Sequence, residues 1–222
     1  MKKINKSEKL ATEYFHWVKQ LEVNKEVKSY DSSNNKFYLD VLINLIVVQN
    51  GLCAYTEFRL VEEKEVAALK KLFVKGKFTG NKPESSFEIE HFDSKIKKTK
   101  GWNWENLFAV YDSINTKVKR IQEPKLGIKK VLKPDTEKYD PLKFLDYDET
   151  EHIFIPNDTL KSLQKKQVKE MITVLGLNWA QIKMKRREFI KEQSFLKEFN
   201  QSTNIHQFIT AYEIFISKKY KN

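Results

Sequence analysis

Four residues in the middle of the chain carry the functional groups that metal-assisted hydrolysis requires. Glu90 and His91 end an alternating apolar run, and Asn106 and Asn115 follow them. A neutral imidazole can take a proton from water near neutral pH, so we expect His91 to act as a general base. Carboxylate and amide oxygens suit a hard cation, so Glu90 and Asn115 are candidate ligands for one metal ion. We expect Asn106 to hold the intervening loop and thereby orient His91.

Two short strands and a helix must position these residues. Residues 86–90 alternate as a strand, and residues 93–103 form a lysine-rich loop. Residues 107–110 predict a second strand, and a helix begins near Asp112. Neighbouring residues of a strand point to opposite faces, so the acid and the histidine share one site only if the helix packs beside the twisted end of the strand. A cation held there would assist phosphodiester hydrolysis by neutralising charge and stabilising the leaving oxygen.

A second acid–histidine pair, Glu151-His152, is not expected to be functional. Asn157 follows it, but no apolar strand beginning with asparagine and no asparagine-bearing helix does. The pair also lies in an acidic segment. The prediction therefore depends on the ordered set of Glu90, His91, Asn106, Asn115 and Lys117.

The distribution of charge favours a polyanionic partner. The net charge is +11, and residues 94–133 alone hold 11 Lys/Arg against 3 Asp/Glu. This basic block begins just after the candidate site, where it could neutralise backbone phosphates and release counterions. The alternative is a lysine-rich composition with solvated helix faces. The predicted phosphate-binding residues are Lys95, Lys97, Lys98, Lys100, Lys117, Lys119 and Arg120.

Composition limits the class of protein. The chain has 222 residues, of which 40% are hydrophobic, and its mean hydropathy is −0.62. Its longest apolar run, residues 41–48, is shorter than the about 20 residues that a membrane helix needs. The first residues lack the apolar stretch of a signal peptide, and Cys53, the single cysteine, cannot form an internal disulfide. We expect a cytoplasmic protein that does not enter a membrane.

The remaining segments predict an α+β fold that is mostly α-helical. Ser7 and Asn178 are candidate helix caps, residues 75–84 and 122–138 read as loops, and residues 142–155 read as an acidic hairpin. We expect a small ββα core at residues 85–121. A helical part, residues 1–84, precedes it, and a part with the hairpin and basic helices, residues 122–222, follows it. We expect all three parts to form one compact unit. The predicted helices span residues 7–22, 34–50, 61–74, 159–175, 178–199 and 204–220.

The central motif resembles that of the HNH, or ββα-metal, endonucleases. In that family an acid–histidine pair closes the first strand, an asparagine opens the second, and the helix supplies a final histidine or asparagine. The resemblance implies a DNA endonuclease that uses one Mg²⁺ or Mn²⁺ ion, with His91 as the base. It departs from the family at position 90, where glutamate replaces the commoner aspartate, and at Ser94, where many members have proline.

Two flanking segments extend the resemblance. Many bacterial HNH proteins bind a structural zinc through two Cys-x-x-Cys pairs, but here these positions read Cys53 to Thr56 and Tyr111 to Ile114. One remaining cysteine cannot build a tetrahedral zinc site, so we expect no structural zinc and apolar packing of Tyr111 and Ile114 in its place.

Residues 139–141 and 174–187 are similar to those of the HNH partner of an ATPase in Septu-type and retron-linked anti-phage systems.

Three functions remain open from the sequence. The first is a DNA endonuclease of anti-phage defence or restriction, gated by a partner such as an ATPase because a free cytoplasmic nuclease endangers its host. The second is a catalytically inactive HNH-fold module that binds nucleic acid or a partner. The third is a helical interaction subunit whose charge serves only solvation.

Overall fold

Short antiparallel strand pairs alternate with helices along the chain, which is α+β as predicted. The computed structural model describes residues 1–31, 35–84 and 86–220. Within these ranges the strands form three separate two-stranded pairs, and helices make up most of the regular structure.

The chain divides into two compact units. The N-terminal unit consists of Ile4–Cys53 and Leu60–Asp112, and the C-terminal unit consists of Met1–Lys3, Ala54–Arg59 and Ser113–Asn222. Neither unit coincides with the predicted segments 1–84, 85–121 and 122–222. Each unit therefore combines residues that are distant in the sequence.

The N-terminal unit contains the candidate strand pair. The two strands pair in antiparallel register, with Phe87 opposite Tyr111 and His91 opposite Leu107, which confirms both predicted strands. Two short 3-10 helices, Ser94–Lys98 and Trp104–Asn106, lie in the loop that joins them. The elements of this unit are α1 (Thr12–Val23), α2 (Tyr38–Val48), α3 (Glu63–Lys71), β1 (Phe73–Val74), β2 (Lys77–Phe78), β3 (Phe87–His91) and β4 (Leu107–Tyr111).

Helix α2 is the core of the N-terminal unit. Its residues from Asp40 to Val47 are buried, and it packs against α3 and β4. Just beyond its end, the Gln49 side chain donates to the Ala109 carbonyl (2.8 Å) and accepts from the Ala109 N–H (2.9 Å). These bonds attach β4 to the buried helix and so fix the candidate strand pair.

Helix α1 begins at Thr12, so the prediction of a start at Ser7 is wrong. The backbone N–H groups of Leu10 and Ala11 donate to the Asn44 side-chain oxygen at 2.9 and 3.2 Å. The Asn44 amide in turn donates to the Glu8 carbonyl (3.1 Å). Because this segment takes its hydrogen bonds from a buried side chain of α2, it does not form the first turn of a helix.

The next two helices are shorter than predicted. α2 begins at Tyr38, and the predicted first residue, Asn34, lies outside the described residues. α3 ends at Lys71 because the chain turns into the hairpin of β1 and β2, which occupies part of the predicted loop. The hairpin turn requires Gly76, whose φ is +79° and where an added Cβ would lie 1.9 Å from the Thr12 hydroxyl oxygen.

The C-terminal unit carries the predicted acidic hairpin and the last helices. The hairpin pairs Leu145 with Pro156 and Asp148 with Ile153, as expected. Ahead of it, the helical region begins at the unit boundary and contains a π-helical turn, Asn115–Lys119. The elements here are α4 (Asp112–Ile114), α5 (Arg120–Leu126), α6 (Pro141–Phe144), β5 (Leu145–Asp148), β6 (Ile153–Pro156), α7 (Ser162–Val174), α8 (Ala180–Glu198) and α9 (Ile209–Lys219).

Two predictions in this unit are wrong. The predicted loop over 122–138 begins too early, since α5 continues through Pro124 and ends before Gly127, whose φ is +70°. Proline removes a helical donor, and here it follows a π-helical turn that already interrupts the regular ladder. Asn178 does not cap α8, because its side chain instead accepts from the Phe154 N–H and donates to the Phe154 carbonyl, each at 2.8 Å.

Helix α8, the basic C-terminal helix, is anchored by a buried arginine. Arg186 donates to the Leu177 carbonyl (2.6 Å) and to the His152 carbonyl (2.9 Å), so this cation belongs to the interior and does not face solvent. Among residues 1–31, 35–84 and 86–220, no helix is both long enough and apolar enough to cross a bilayer.

A buried carboxylate begins the last helix. Glu57 accepts from the Thr210 N–H (2.8 Å) and from the Thr210 hydroxyl (2.5 Å), in the first turn of α9. An acceptor at a helix N-terminus satisfies donors that the helix itself leaves without partners. Glu57 also lies 2.8 Å from the Met1 amine. The short segment Ala54–Arg59 thus holds α9 within the C-terminal unit.

Candidate active site at the end of strand β3

The strand pair β3–β4 brings the candidate acid and base to one end. Glu90 lies opposite Phe108 and His91 opposite Leu107, and the pairing extends by a bond from the Phe92 N–H to the Asn106 carbonyl (2.8 Å). Both titratable side chains are buried, with relative exposures of 3% for Glu90 and 4% for His91. Polar side chains buried at a strand end require specific partners, and the partners of His91 define the site.

His91 is oriented by a backbone carbonyl of the following loop. Its Nε2 lies 2.7 Å from the Gly101 oxygen. A carbonyl oxygen only accepts, so Nε2 carries the proton and donates. In the neutral form of the ring, the lone pair is then on Nδ1. The predicted role of His91 as a general base would therefore use Nδ1.

An aromatic ring packs against the imidazole. The Tyr30 ring meets the His91 ring edge to face, with centroids 4.5 Å apart and planes at 84°. Trp102 packs on Tyr30 with centroids 4.8 Å apart. Burial raises the pKa of the Tyr30 hydroxyl, and Tyr38 and the carboxylate of Glu88 add to the shift, so the phenol is neutral. Tyr30 gave no signal in the sequence because it lies far from His91 along the chain and belongs to no motif.

Gly101 is required where this aromatic contact forms. A Cβ at this position would lie 2.4 Å from the Tyr30 nitrogen and 2.6 Å from the Lys97 carbonyl oxygen. Such distances exclude any side chain without movement of the backbone. The close approach of the Tyr30 segment thus fixes the peptide whose carbonyl holds His91.

Asn106 bridges the two ends of the loop. Its Oδ1 accepts from the Asp93 N–H (2.9 Å), and its Nδ2 donates to the Asp93 carbonyl (3.0 Å). Asp93 in turn caps the 3-10 helix Ser94–Lys98 by accepting from the Lys95 N–H (3.0 Å). The amide therefore fixes the backbone directly after His91, which is the geometry that a loop-orienting residue requires.

Replacing Asn106 with alanine tests this bridge. We expect the rate of cleavage by the proposed nuclease to fall by about 10- to 100-fold, as for other residues that orient a ligand or base without touching substrate. Asn106→Asp retains the acceptor for the Asp93 N–H but loses the donor, so its rate should lie between those of the wild type and Asn106→Ala. Equal rates for all three proteins in a plasmid-nicking assay would contradict the orienting role.

Glu90 is the predicted metal ligand that lies in the N-terminal unit. Glu90 supplies carboxylate oxygens, the ligand type that Mg²⁺ and Mn²⁺ prefer, and Mg²⁺ retains several waters alongside one or two protein ligands. No group of three or more His, Cys, Asp or Glu side chains that could hold a metal occurs within the described parts of the chain. Asn115, the other predicted ligand, begins the π-helical turn of the C-terminal unit. The structure thus brings Glu90, His91 and Asn106 together in one unit and assigns Asn115 to the other.

Four predicted phosphate-binding lysines are exposed directly after the site. The Lys97 ammonium lies 4.8 Å from the centre of the Tyr30 ring, so this cation is adjacent to the ring that packs on His91. Exposed lysines act as mobile point charges toward phosphate oxygens. The four residues, on the 3-10 helix and the loop beyond it, are Lys95, Lys97, Lys98 and Lys100.

Lys119 differs from the other predicted phosphate-binding residues. Its relative exposure is 1%, and its ammonium lies 2.5 Å from a carboxylate oxygen of Glu123. A buried cation with a carboxylate partner does not reach a backbone phosphate, so we remove it from the predicted set. Lys117 and Arg120, in the same helical region, are exposed.

The second acid–histidine pair has a structural environment. His152 is buried, and its Nδ1 lies 3.2 Å from the Tyr147 hydroxyl. Burial lowers the pKa of His152, and Arg187 and Lys191 add to the shift, so its ring is neutral. Glu151 is exposed and forms an ion pair with Lys183 (3.1 Å). The two side chains of the pair therefore serve separate contacts.

No protein-family model matches this chain, and no curated protein matches it either. Residue roles therefore rest on the geometry of the β3–β4 end and on the chemistry of its side chains.

Proposed function

We propose that this chain is a divalent-metal-dependent DNA endonuclease of the HNH type that acts in the cytoplasm. The hydrogen bond from His91 Nε2 to the Gly101 carbonyl (2.7 Å) is the observation that carries the proposal. In the neutral ring this bond leaves Nδ1 as the basic nitrogen, on the residue that follows Glu90 in β3 and at the start of a basic loop. That combination suits hydrolysis of a phosphodiester more than any other reaction.

In the proposed reaction, His91 Nδ1 takes a proton from the attacking water. A bound Mg²⁺ or Mn²⁺ ion supplies charge neutralisation at the phosphate and stabilisation of the leaving oxygen. Glu90 would hold this ion; the resemblance names Asn115 as a second ligand, and Asn115 belongs to the C-terminal unit. Asn106 keeps the backbone after His91 fixed, so that the base does not have to be oriented during the reaction.

The lysine-rich loop is proposed to bind the DNA backbone. Lys95, Lys97, Lys98 and Lys100 are exposed in succession after the site, with Lys117 and Arg120 as further candidates. Contacts to phosphate position the duplex without reading its sequence. Binding should therefore weaken steeply with salt and depend little on base sequence.

Plasmid nicking tests the proposal directly. Purified protein with Mg²⁺ or Mn²⁺ is expected to convert supercoiled plasmid to open-circular and linear forms, because the metal supplies the charge neutralisation that the side chains lack. Chelation with EDTA should stop the reaction, and added Mg²⁺ should restore it. Cleavage that persists in EDTA would contradict the metal requirement, and DNA that stays intact under every divalent ion would contradict nuclease activity.

We further propose that a partner gates the activity, in anti-phage defence or restriction. The support is the similarity of residues 139–141 and 174–187 to an HNH partner of a defence ATPase. Co-purification with an ATPase, together with cleavage that depends on it, would support this role. Vigorous cleavage by the purified chain alone would argue against gating.

A second candidate, an inactive HNH-fold module that binds nucleic acid or a partner, is favoured by one observation. Glu90 and His91 are nearly inaccessible, at 3% and 4% exposure. Such a module should bind DNA without a divalent ion and leave it intact. Measuring DNA affinity in EDTA beside nicking in Mg²⁺ separates the two functions.

A further inference from the structure

Tyr30 is the inward-facing residue of an otherwise exposed segment. Residues 24–29 and Asp31 are exposed, whereas Tyr30 is partly buried against the loop after β3. The segment is attached at two further points, since the Trp102 indole donates to the Ser29 carbonyl (3.3 Å) and the Gly101 peptide lies directly beneath Tyr30. The ring is therefore held in place independently of its contact with His91.

The described residues include two partners that orient the His91 ring. The Gly101 carbonyl accepts from Nε2, and the Tyr30 ring packs at 84° to the imidazole plane with centroids 4.5 Å apart. A single hydrogen bond permits the ring to tilt about its side-chain bonds, and an edge-to-face contact restricts that tilting and so keeps Nε2 aligned with the carbonyl. Together these contacts restrain the plane of the imidazole and favour the proton on Nε2.

We propose that Tyr30 is a positioning residue for the general base His91. This inference rests on the proposed nuclease function, and it adds a residue from a distant part of the chain to the site. Tyr30 acts through His91 and does not contact the phosphate in this role. The aromatic ring makes the contact, so phenylalanine should substitute for tyrosine.

The kinetic test compares two substitutions at one position. Tyr30→Ala should lower kcat for plasmid nicking by about 10- to 100-fold with little change in KM, because the base is misoriented while DNA binding is retained. Tyr30→Phe should remain within about threefold of the wild type because the edge-to-face contact survives. Tyr220→Ala, at a half-exposed tyrosine of the C-terminal unit, is the control for tyrosine truncation. Unchanged kcat in Tyr30→Ala would overturn the proposal. An increased kcat would also overturn it, because Tyr30 would then restrict access to His91 instead of positioning it.

A spectroscopic readout keeps this test separate from the proposed function. At about pH 8.5, above the ordinary histidine pKa of about 6.5, ¹⁵N NMR distinguishes a protonated ring nitrogen from an unprotonated one. The wild type and Tyr30→Phe should show one tautomer of His91 with the proton on Nε2, and Tyr30→Ala should show averaging of the two tautomers. A single unchanged tautomer in Tyr30→Ala would overturn the positioning role even if the wild type cleaves no DNA. If Tyr30→Ala does not fold, Tyr30→Leu replaces it, and wild-type kcat with one tautomer in that variant would equally overturn the proposal.

Discussion

Replacing His91 with alanine is expected to lower the rate of metal-dependent DNA cleavage by about 10²- to 10⁴-fold, the usual contribution of general-base catalysis. The wild-type ring is buried at the end of β3 with its Nε2 donating to Gly101, so the proposed reaction requires Nδ1 to take the proton from water. Alanine removes that nitrogen. Plasmid nicking in Mg²⁺ under single-turnover conditions measures the loss.

Two control variants separate the chemical role of His91 from its structural role. His91→Gln can retain a donor for the Gly101 carbonyl but has no basic nitrogen, so it should lose as much activity as His91→Ala. His16→Ala changes an exposed histidine of α1 and should leave the rate unchanged. Near wild-type cleavage by His91→Gln would remove His91 from the role of base, even if His91→Ala were inactive.

Replacing Glu57 with alanine is expected to reduce the free energy of unfolding by about 3–5 kcal/mol, as when one partner of a buried ion pair is removed. Glu57 is 2% exposed, and its carboxylate accepts both the N–H and the hydroxyl of Thr210 while facing the Met1 amine. The variant leaves these donors buried without their acceptor. Urea denaturation followed by circular dichroism measures the change.

The pH dependence of stability supplies an independent check on Glu57. Burial alone would raise the pKa of its carboxyl, but the Met1 ammonium and the Thr210 donors outweigh that effect and hold the pKa below its ordinary value of 4.5. A lowered folded-state pKa contributes stability that is present above pH 4.5 and is lost as the pH falls. Glu57→Gln should therefore lose less stability on acidification than the wild type does. Glu65→Ala, at an exposed glutamate of α3, should change the free energy of unfolding by less than about 0.5 kcal/mol.

The strand pair of the site could be predicted because its pattern is local. Residues 86–90 alternate, residues 107–110 are a short apolar run, and the structure pairs β3 with β4 over that stretch. Asn106 was expected to orient the loop, and its amide bridges the Asp93 backbone. In each case the informative residues lie within one short stretch of chain.

What could not be predicted depends on contacts between distant residues. The start of α1 is set by the Asn44 side chain, and the orientation of His91 involves Tyr30. Neither contact produces a local periodic pattern in the sequence from which it could be predicted. Lys119 is different, because Glu123 lies four residues later on the same helix face and predicts an ion pair. That signal was present in the sequence and competed with the simpler interpretation of Lys119 as a phosphate-binding residue.

The bonds from Gln49 to Ala109 also bear on how the protein avoids aggregation. A two-stranded sheet has unpaired N–H and C=O groups on the outer side of each strand, and such an edge can recruit a strand from another molecule. At the middle of β4 the Gln49 amide supplies both the donor and the acceptor that an added strand would provide. The side chain thereby acts as a single-residue substitute for a third strand, and it blocks strand addition at that point without lengthening the sheet.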